Sequence, residues 1–268
     1  MEHSDASFIS RTLSRARQLQ LRSVRDASGL HYVEGFRAFL QLIDARIPID
    51  TILYCEVLAQ NPVVQKQVRL SRRAGVSVAR VSPEQFRAVS CTERASGIGV
   101  IARQHWAPIE ALDPRRGLCW VALGLLRSPG NLGTLMRTAE AVAAGGIIFL
   151  ADGCDPFDPA VVRSSMGGLF RLQLARTTIP RFAAWARAHG CTVVGTSPSG
   201  SVLYTQVPVD PPLVIFFGEE RAGLSPAELA VCTQTARIPI SGHADSLNVG
   251  VAAGIMLYEV LRRCTQAT

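Results

Sequence analysis

The chain has 268 residues, 48% hydrophobic and 18% charged, with a net charge of +7. That balance builds one large globular domain or two of ordinary size and excludes a disordered chain. No apolar run reaches the roughly 18 residues of a membrane span, so no membrane partner is expected.

In chain order, the first stretch, "MEHSDASFIS", lacks a basic segment followed by an apolar one. No secretory leader is therefore expected, and the chain reads as soluble and cytoplasmic. Residues 10–28 are Arg-rich and read as an amphipathic helix followed by a loop. "LHYVEG" reads as a strand and "FRAFLQLIDAR" as a helix with Phe36, Phe39, Leu40 and Ile43 on one face. "DTILYCEV" is a strand, and "NPVVQKQVRLSRRAG" a helix with Pro62 in its first turn and Gly75 at its end. "VSVARVS" (strand), "PEQFRAVS" (helix) and "GIGVIAR" (strand) complete an alternating α/β domain over 1–104. Residues 105–115, with two prolines and opposed charges, read as a linker.

The part from 116 to 268 opens on "CWVALGLL", a continuous apolar strand of the kind buried on both faces. "NLGTLMRTAEAVAAGG" (helix), "IIFLA" (strand), "DPAVVRSSMGG" (helix), "LFRLQLA" (strand), "IPRFAAWARAHG" (helix), "CTVVGT" and "PLVIFFG" (strands), "SPAELAVCT" (helix), "ARIPI" (strand) and a last helix follow. This alternation predicts a parallel sheet covered by helices on both faces.

Charge and cysteine usage narrow the function. Residues 1–104 carry 15 cations against 9 anions, residues 105–115 carry 1 against 2, and residues 116–268 carry 12 against 10. A basic first part on a near-neutral second suits a polyanionic partner. Lys66 is the one lysine and the other 27 cations are arginines. Arginine favours bidentate phosphate contacts, although a GC-rich genome produces the same bias. Cys55, Cys91, Cys119, Cys154, Cys191, Cys232 and Cys264 stand singly, with no C-x-x-C pair. They argue against a zinc site or disulfide framework and suit reduced, buried thiols; no metal is expected.

Three stretches can carry chemistry. "SPGNLGTLMRTAEAVAAGG" follows a strand and opens a helix, but it is not G-x-G-x-x-G and no acidic residue ends the next strand, so a nicotinamide site is poorly matched. It offers Asn131 and Arg137, six apart and so on different helical faces. "VIFFGEERAGLS" ends a strand at Gly218, where a ligand can approach backbone, and sets Glu220 beside it. Ser225 and Pro226 then start a helix. "RIPISGHADSLNVG" ends a strand at Ile240 and starts the last helix with Ser246 as its expected cap and Asn248 close by. Singly, each is equally a solvated arginine, a charged turn or an ordinary helix cap.

Together, N-x-G-x-x-x-R-T-A, G-x-E-x-x-G-L and I-P-x-x-G-x-x-x-S-L-N-V, in this order, resemble the SpoU (TrmH-like) branch of the SPOUT superfamily, S-adenosylmethionine-dependent RNA 2′-O-ribose methyltransferases. The resemblance covers 116–268 and extends more loosely to 20–104, where "GLHYVEGFRAF" and "GIGVIAR" look like an L30e-like substrate-binding domain. It implies a parallel-sheet SPOUT domain with a deep trefoil knot, an S-adenosylmethionine pocket formed by Gly218, Ile238 and Leu247 with Ile240, Gly242 and Thr196, and a catalytic group of Arg137, Asn131, Glu220, Ser246 and Asn248. A guanidinium keeps its proton in proteins, so Arg137 suits holding phosphate and 2′-oxygen better than taking a proton.

Two positions depart from the pattern: Glu219 stands where a small or neutral residue is usual, and Gly250 where Ser or Ala is usual. The resemblance also implies a homodimer, which Gly250 and Gly254 suit by permitting close helix approach. RNA, most naturally ribosomal, is the implied partner. Arg22, Arg25, Arg72, Arg73, Arg94 and Arg103 are candidate RNA contacts, with Arg163 and Arg171 in the second domain. Transfer RNA methylation, antibiotic-resistance methylation of ribosomal RNA, a catalytically inactive RNA-binding protein and a nucleotide enzyme on an ordinary doubly wound sheet remain alternatives.

Overall fold

A computed structural model describes residues 6–266; residues 1–5, half of the stretch read above for a leader, lie outside them. The chain divides into two compact units, one of residues 1–104 with 157–170 and one of 105–156 with 171–268. The elements in order are α1 (Ala6–Gln18), α2 (Arg22–Ser28), β1 (Leu30–Glu34), α3 (Phe36–Asp44), β2 (Ile49–Tyr54), α4 (Pro62–Arg73), β3 (Ser77–Arg80), α5 (Pro83–Arg87), β4 (Ile98–Arg103), β5 (Trp120–Leu123), α6 (Pro129–Ala141), β6 (Gly146–Phe149), α7 (Pro159–Ser164), β7 (Gln173–Arg176), α8 (Ile179–Ala188), β8 (Thr192–Thr196), β9 (Val202–Leu203), β10 (Leu213–Phe217), α9 (Pro226–Leu229), β11 (Gln234–Arg237) and α10 (Val249–Gln266). Among the described residues no helix is long and apolar enough to cross a membrane.

The first unit is a four-stranded mixed sheet, β1-β4-β2-β3, with β3 on an edge and parallel to β2. Its core gathers Leu19, Tyr32, Leu53, Phe86 and Ile101. The Arg-rich start forms two helices where a single helix and a loop were expected. The buried Leu19 sits at their junction, so core packing sets the break. Segment 157–170 clusters here because the Phe157 ring packs at a tilt against His31, 4.8 Å between centroids, and Asp158 pairs with Arg25 at 3.5 Å. Arg163, assigned from sequence to the second domain, therefore lies in the first unit.

Arg25 itself corrects another expectation. It is 1% exposed, and its guanidinium donates to the carbonyls of Leu19 (2.9 Å) and Gln20 (2.8 Å). Those bonds close the α1–α2 turn, so Arg25 is a structural residue and not an RNA contact. Replacing it with Met strands two carbonyls, while the Asp158 carboxylate still reaches water (34% exposed). Arg25→Met should cost about 2–3 kcal/mol in urea unfolding. Unchanged stability with lost RNA affinity would reverse this assignment.

The second unit is a seven-stranded sheet, β7-β6-β5-β10-β8-β11-β9, parallel at every pairing. Trp120, Ala122, Ile148, Phe182, Trp185, Val214 and Phe216 fill its core. Residues 105–115 are not a free linker. Trp106 bridges to Leu174, and Ile109 and Leu112 are 2% and 3% exposed in that core. Strands β5, β6 and β7 step one way along the sheet; β8 and β11 lie on the other side, and β10 sits between. Parallel sheets open a ligand crevice at the carboxyl ends where the strand order reverses.

Candidate active site

That crevice is a cavity of about 420 Å³ in the second unit, within the range of small-molecule sites. Strand β8 supplies Thr196 and the following Ser197, β10 supplies Phe217 and the following Gly218, and the segment after β11 supplies Ile238 and Ile240. Ser246 and Leu247 close it from the loop before α10. Of the six residues expected around a cofactor, Gly218, Ile238, Leu247, Ile240 and Thr196 line this cavity. Gly242 does not: it is exposed in the loop, with nothing within 4 Å of where a Cβ would stand.

Gly218 has a steric reason to be glycine. A Cβ there would stand 2.3 Å from the Gly223 carbonyl carbon and 2.4 Å from the Leu224 nitrogen. The turn from Glu219 to Gly223 is closed by two reciprocal backbone bonds of 2.9 Å each, and Gly223 takes a left-handed φ of +70° that favours glycine. Behind the turn, Ser225 and Glu228 form a reciprocal capping box at the start of α9. Backbone thus walls one side of the cavity, and Leu224, Ile238, Ile240, Leu247 and Val249 give it apolar faces. Such a cradle fits a flat heterocycle held between apolar side chains, its edge against peptide groups.

The three motifs meet in one directional chain of hydrogen bonds. Asn248 Oδ1 accepts from the amides of Gly250 (2.9 Å) and Val251 (3.3 Å), so Asn248 caps α10. Ser246, expected to be the cap, lies two residues earlier, exposed and on the cavity wall. The loop runs two residues further before helical geometry begins, which releases the Ser246 hydroxyl from capping. Because the cap fixes the Asn248 oxygen, its Nδ2 must donate, and it does so to Asn131 Oδ1 at 2.9 Å. Asn131 Nδ2 in turn donates to Glu220 Oε1. One carboxylate on the cavity wall is therefore held by the amide of Asn131, which the amide of Asn248 orients in turn from the start of α10.

Arg137 stands outside this chain. It is exposed on α6, one turn beyond Thr134, which packs beside Gly250 of α10. Among the described residues nothing forms a hydrogen bond or ion pair with it, which leaves its five donors for a ligand.

Sequence reading missed two features. Glu219 does not present a naked carboxylate: Arg127 pairs with it at 3.2 Å. The loop of Ser197, Pro198 and Ser199 also lines the cavity. The signal for both was position, since each follows the carboxyl end of a parallel strand. Cys232, whose sulfur packs against Gly195, is pushed up to about 11 by burial, with the Glu228 carboxylate adding to the shift. It is a neutral thiol at physiological pH and not a nucleophile.

The arginines expected to meet RNA differ in availability. Arg72, Arg73, Arg94 and Arg103 are exposed in the first unit. Arg22 is half-buried and paired with Asp26 at 3.4 Å. Arg163 donates to the Cys91 carbonyl at 3.0 Å, and Arg171 lies 3.8 Å from Glu140.

Comparison with known proteins adds the following. Residues 119–258 match the SpoU rRNA Methylase family, and residues 11–99 match the MRM3-like substrate binding domain. An AdoMet-bound rRNA methyltransferase from Sinorhizobium meliloti superposes with a TM-score of 0.86 at 35% identity, over 94% of each chain. The SpoU methyltransferase AviRb from Streptomyces viridochromogenes, in complex with AdoMet, does so with a TM-score of 0.84 at 27% identity, over 95% of this chain and 98% of that one. The 23S rRNA (guanosine(2553)-2′-O)-methyltransferase RlmP of Bacillus subtilis (strain 168) is 28% identical over 89% of this chain and 96% of its own length.

Proposed function

The chain belongs to the SpoU rRNA methylase family, and from that premise we propose how its own residues perform S-adenosylmethionine-dependent methylation of a ribose 2′-hydroxyl in ribosomal RNA. The observation that carries the reading is the hydrogen-bonded chain Glu220–Asn131–Asn248, which ties all three motifs to one wall of one cavity.

S-adenosylmethionine fits the cavity by its walls: backbone at the Gly218 turn and apolar faces on Ile238, Ile240 and Leu247. When bound it supplies a methyl group on a cationic sulfur. The chain must then position a neutral hydroxyl, a poor nucleophile until its proton is managed. Arg137, exposed and unpaired among the described residues, holds the target phosphate and the 2′-oxygen and stabilises the negative charge that develops there. Ser246 and the second carboxylate oxygen of Glu220 orient the ribose. Arg127 neutralises Glu219, so that the anionic substrate does not meet an uncompensated charge.

The first unit serves as the RNA-binding module in this reading, acting on cytoplasmic ribosomal RNA, and a deep trefoil knot in the second unit is part of the same proposal. A homodimer built on α10 completes it. Val251 and Tyr258 are about half exposed on that helix (52% and 53%), and Gly254 between them is open, so a second helix can approach closely.

Labelled methyl transfer to total ribosomal and transfer RNA tests the reaction. Alkaline hydrolysis should leave the label in resistant dinucleotides of ribosomal RNA, because a 2′-O-methyl blocks cleavage. Label recovered in mononucleotides would indicate base methylation and overturn the assignment, and label confined to transfer RNA would overturn the substrate.

A further inference from the structure

The first unit holds a second cavity, of about 300 Å³, unrelated to the cofactor cradle. It is a groove between the open edge of the four-stranded sheet and one face of α4. Strand β3 forms that edge and contributes Arg80, while Gln65, Arg69 and Arg72 line the other side at helical spacings of three and four. Tyr54, from the end of β2, and Phe8, from α1, also line it. Glu56 is the one acidic residue lining it.

Helix α4 as a whole carries Lys66, Arg69, Arg72 and Arg73 without an acid. Arg69 and Arg80 are exposed and form no hydrogen bond or ion pair with the described residues. Three arginines thus line one concave surface with a single acidic residue. A charged side chain on a sheet edge disfavours pairing with another strand, and Arg80 stands on this one, so the groove does not suit an added peptide strand. It suits a chain of phosphates, which arginine forks grip bidentately.

We propose that this groove is a docking site for the phosphate backbone of the substrate RNA. This rests on the reading of the chain as an RNA methyltransferase, and it assigns substrate binding to Arg69, Arg72 and Arg80 together. Only Arg72 stood out in the sequence. The contacts are to phosphate, so they raise affinity without reading bases.

The full-length chain carrying Arg69→Gln and Arg80→Gln tests it, with ribosomal RNA fragments titrated from 50 to 250 mM salt. Each phosphate contact contributes about 0.7–0.9 to the slope of log affinity against log salt. The double variant should therefore lose about 1.4–1.8 from the slope and raise the KM for RNA at least tenfold, with S-adenosylmethionine affinity unchanged. Glu56→Gln should act oppositely, tightening RNA binding; this second variant keeps the test valid if the first folds poorly.

A double variant with wild-type slope and KM, or a Glu56→Gln protein no tighter than wild type, would overturn the proposal while leaving the methyltransferase reading intact. Loss of polyglutamate binding with an unchanged RNA slope would assign the groove to an acidic protein and overturn it as well. A flat salt response in the wild-type protein would instead remove the RNA reading on which the proposal stands.

Discussion

Arg137→Ala will give a folded protein that binds S-adenosylmethionine with near wild-type affinity and transfers almost no methyl group. The expectation follows from where the side chain is. Arg137 does not line the cofactor cavity, and among the described residues it supports no other side chain. Its removal strands no partner, so stability should move by less than about 0.5 kcal/mol, as for most surface substitutions. Its charge, however, is the cation closest in sequence to Asn131, the middle link of the hydrogen-bonded chain, that forms no ion pair with the described residues. Removing a single charge-stabilising donor from an active site typically costs 10²–10³ in kcat, about 2.7–4 kcal/mol. Arg137→Lys should recover part of that loss, because a point cation keeps the attraction and loses the planar fork. Calorimetry on Arg137→Ala showing lost cofactor affinity would overturn this division of labour.

The sheet was legible because three of its strands, β5, β6 and β10, are buried on both faces. "CWVALGLL", "IIFLA" and "PLVIFFG" are continuous apolar runs, and each contains a strand of the parallel sheet. The two-residue strand Val202–Leu203 was invisible, since a pairing that short leaves no periodicity to read. In α3 the expected face of Phe36, Phe39, Leu40 and Ile43 is only partly right. Phe39 and Leu42 are its buried residues, and nothing in a 3.6-residue repeat chooses between faces one residue apart.

The site was legible in its residue types and not in its wiring. Ser246 and Asn248 are both good caps, and only the onset of helical geometry at Val249 decides between them. Once Asn248 takes the cap, the orientation of Asn131 and the tie to Glu220 follow without further choice. Arginines carry no such logic. Arg25 looks like its neighbours in sequence, yet tertiary packing buries it, whereas Arg69 and Arg80 are exposed and form no hydrogen bond or ion pair with the described residues. Segment 105–115 shows the reverse failure: two prolines and opposed charges suggested a linker, while Trp106, Ile109 and Leu112, spaced by three, already carried the signal of packing.

Gly218→Ala is expected to weaken cofactor capture by one to two orders of magnitude by adding one methyl group. The turn it would enter cannot yield locally. The methyl would stand 2.3–2.4 Å from backbone atoms of Gly223 and Leu224, and backbone cannot rotate aside as a side chain can. The nearest relief is to break the paired bonds between Glu219 and Gly223. That would displace Glu219 from Arg127 and Glu220 from Asn131 in one movement. Overpacking of this kind costs about 1–3 kcal/mol. If that cost falls on the loop, S-adenosylmethionine affinity should drop roughly 10- to 100-fold, at 1.4 kcal/mol per factor of ten. Isothermal titration read beside urea unfolding separates loop from fold: the affinity loss should exceed any change in unfolding midpoint. A Gly218→Ala protein that binds S-adenosylmethionine as the wild type does would show that the methyl donor does not occupy this cradle. In that event the polar chain behind it would need another partner.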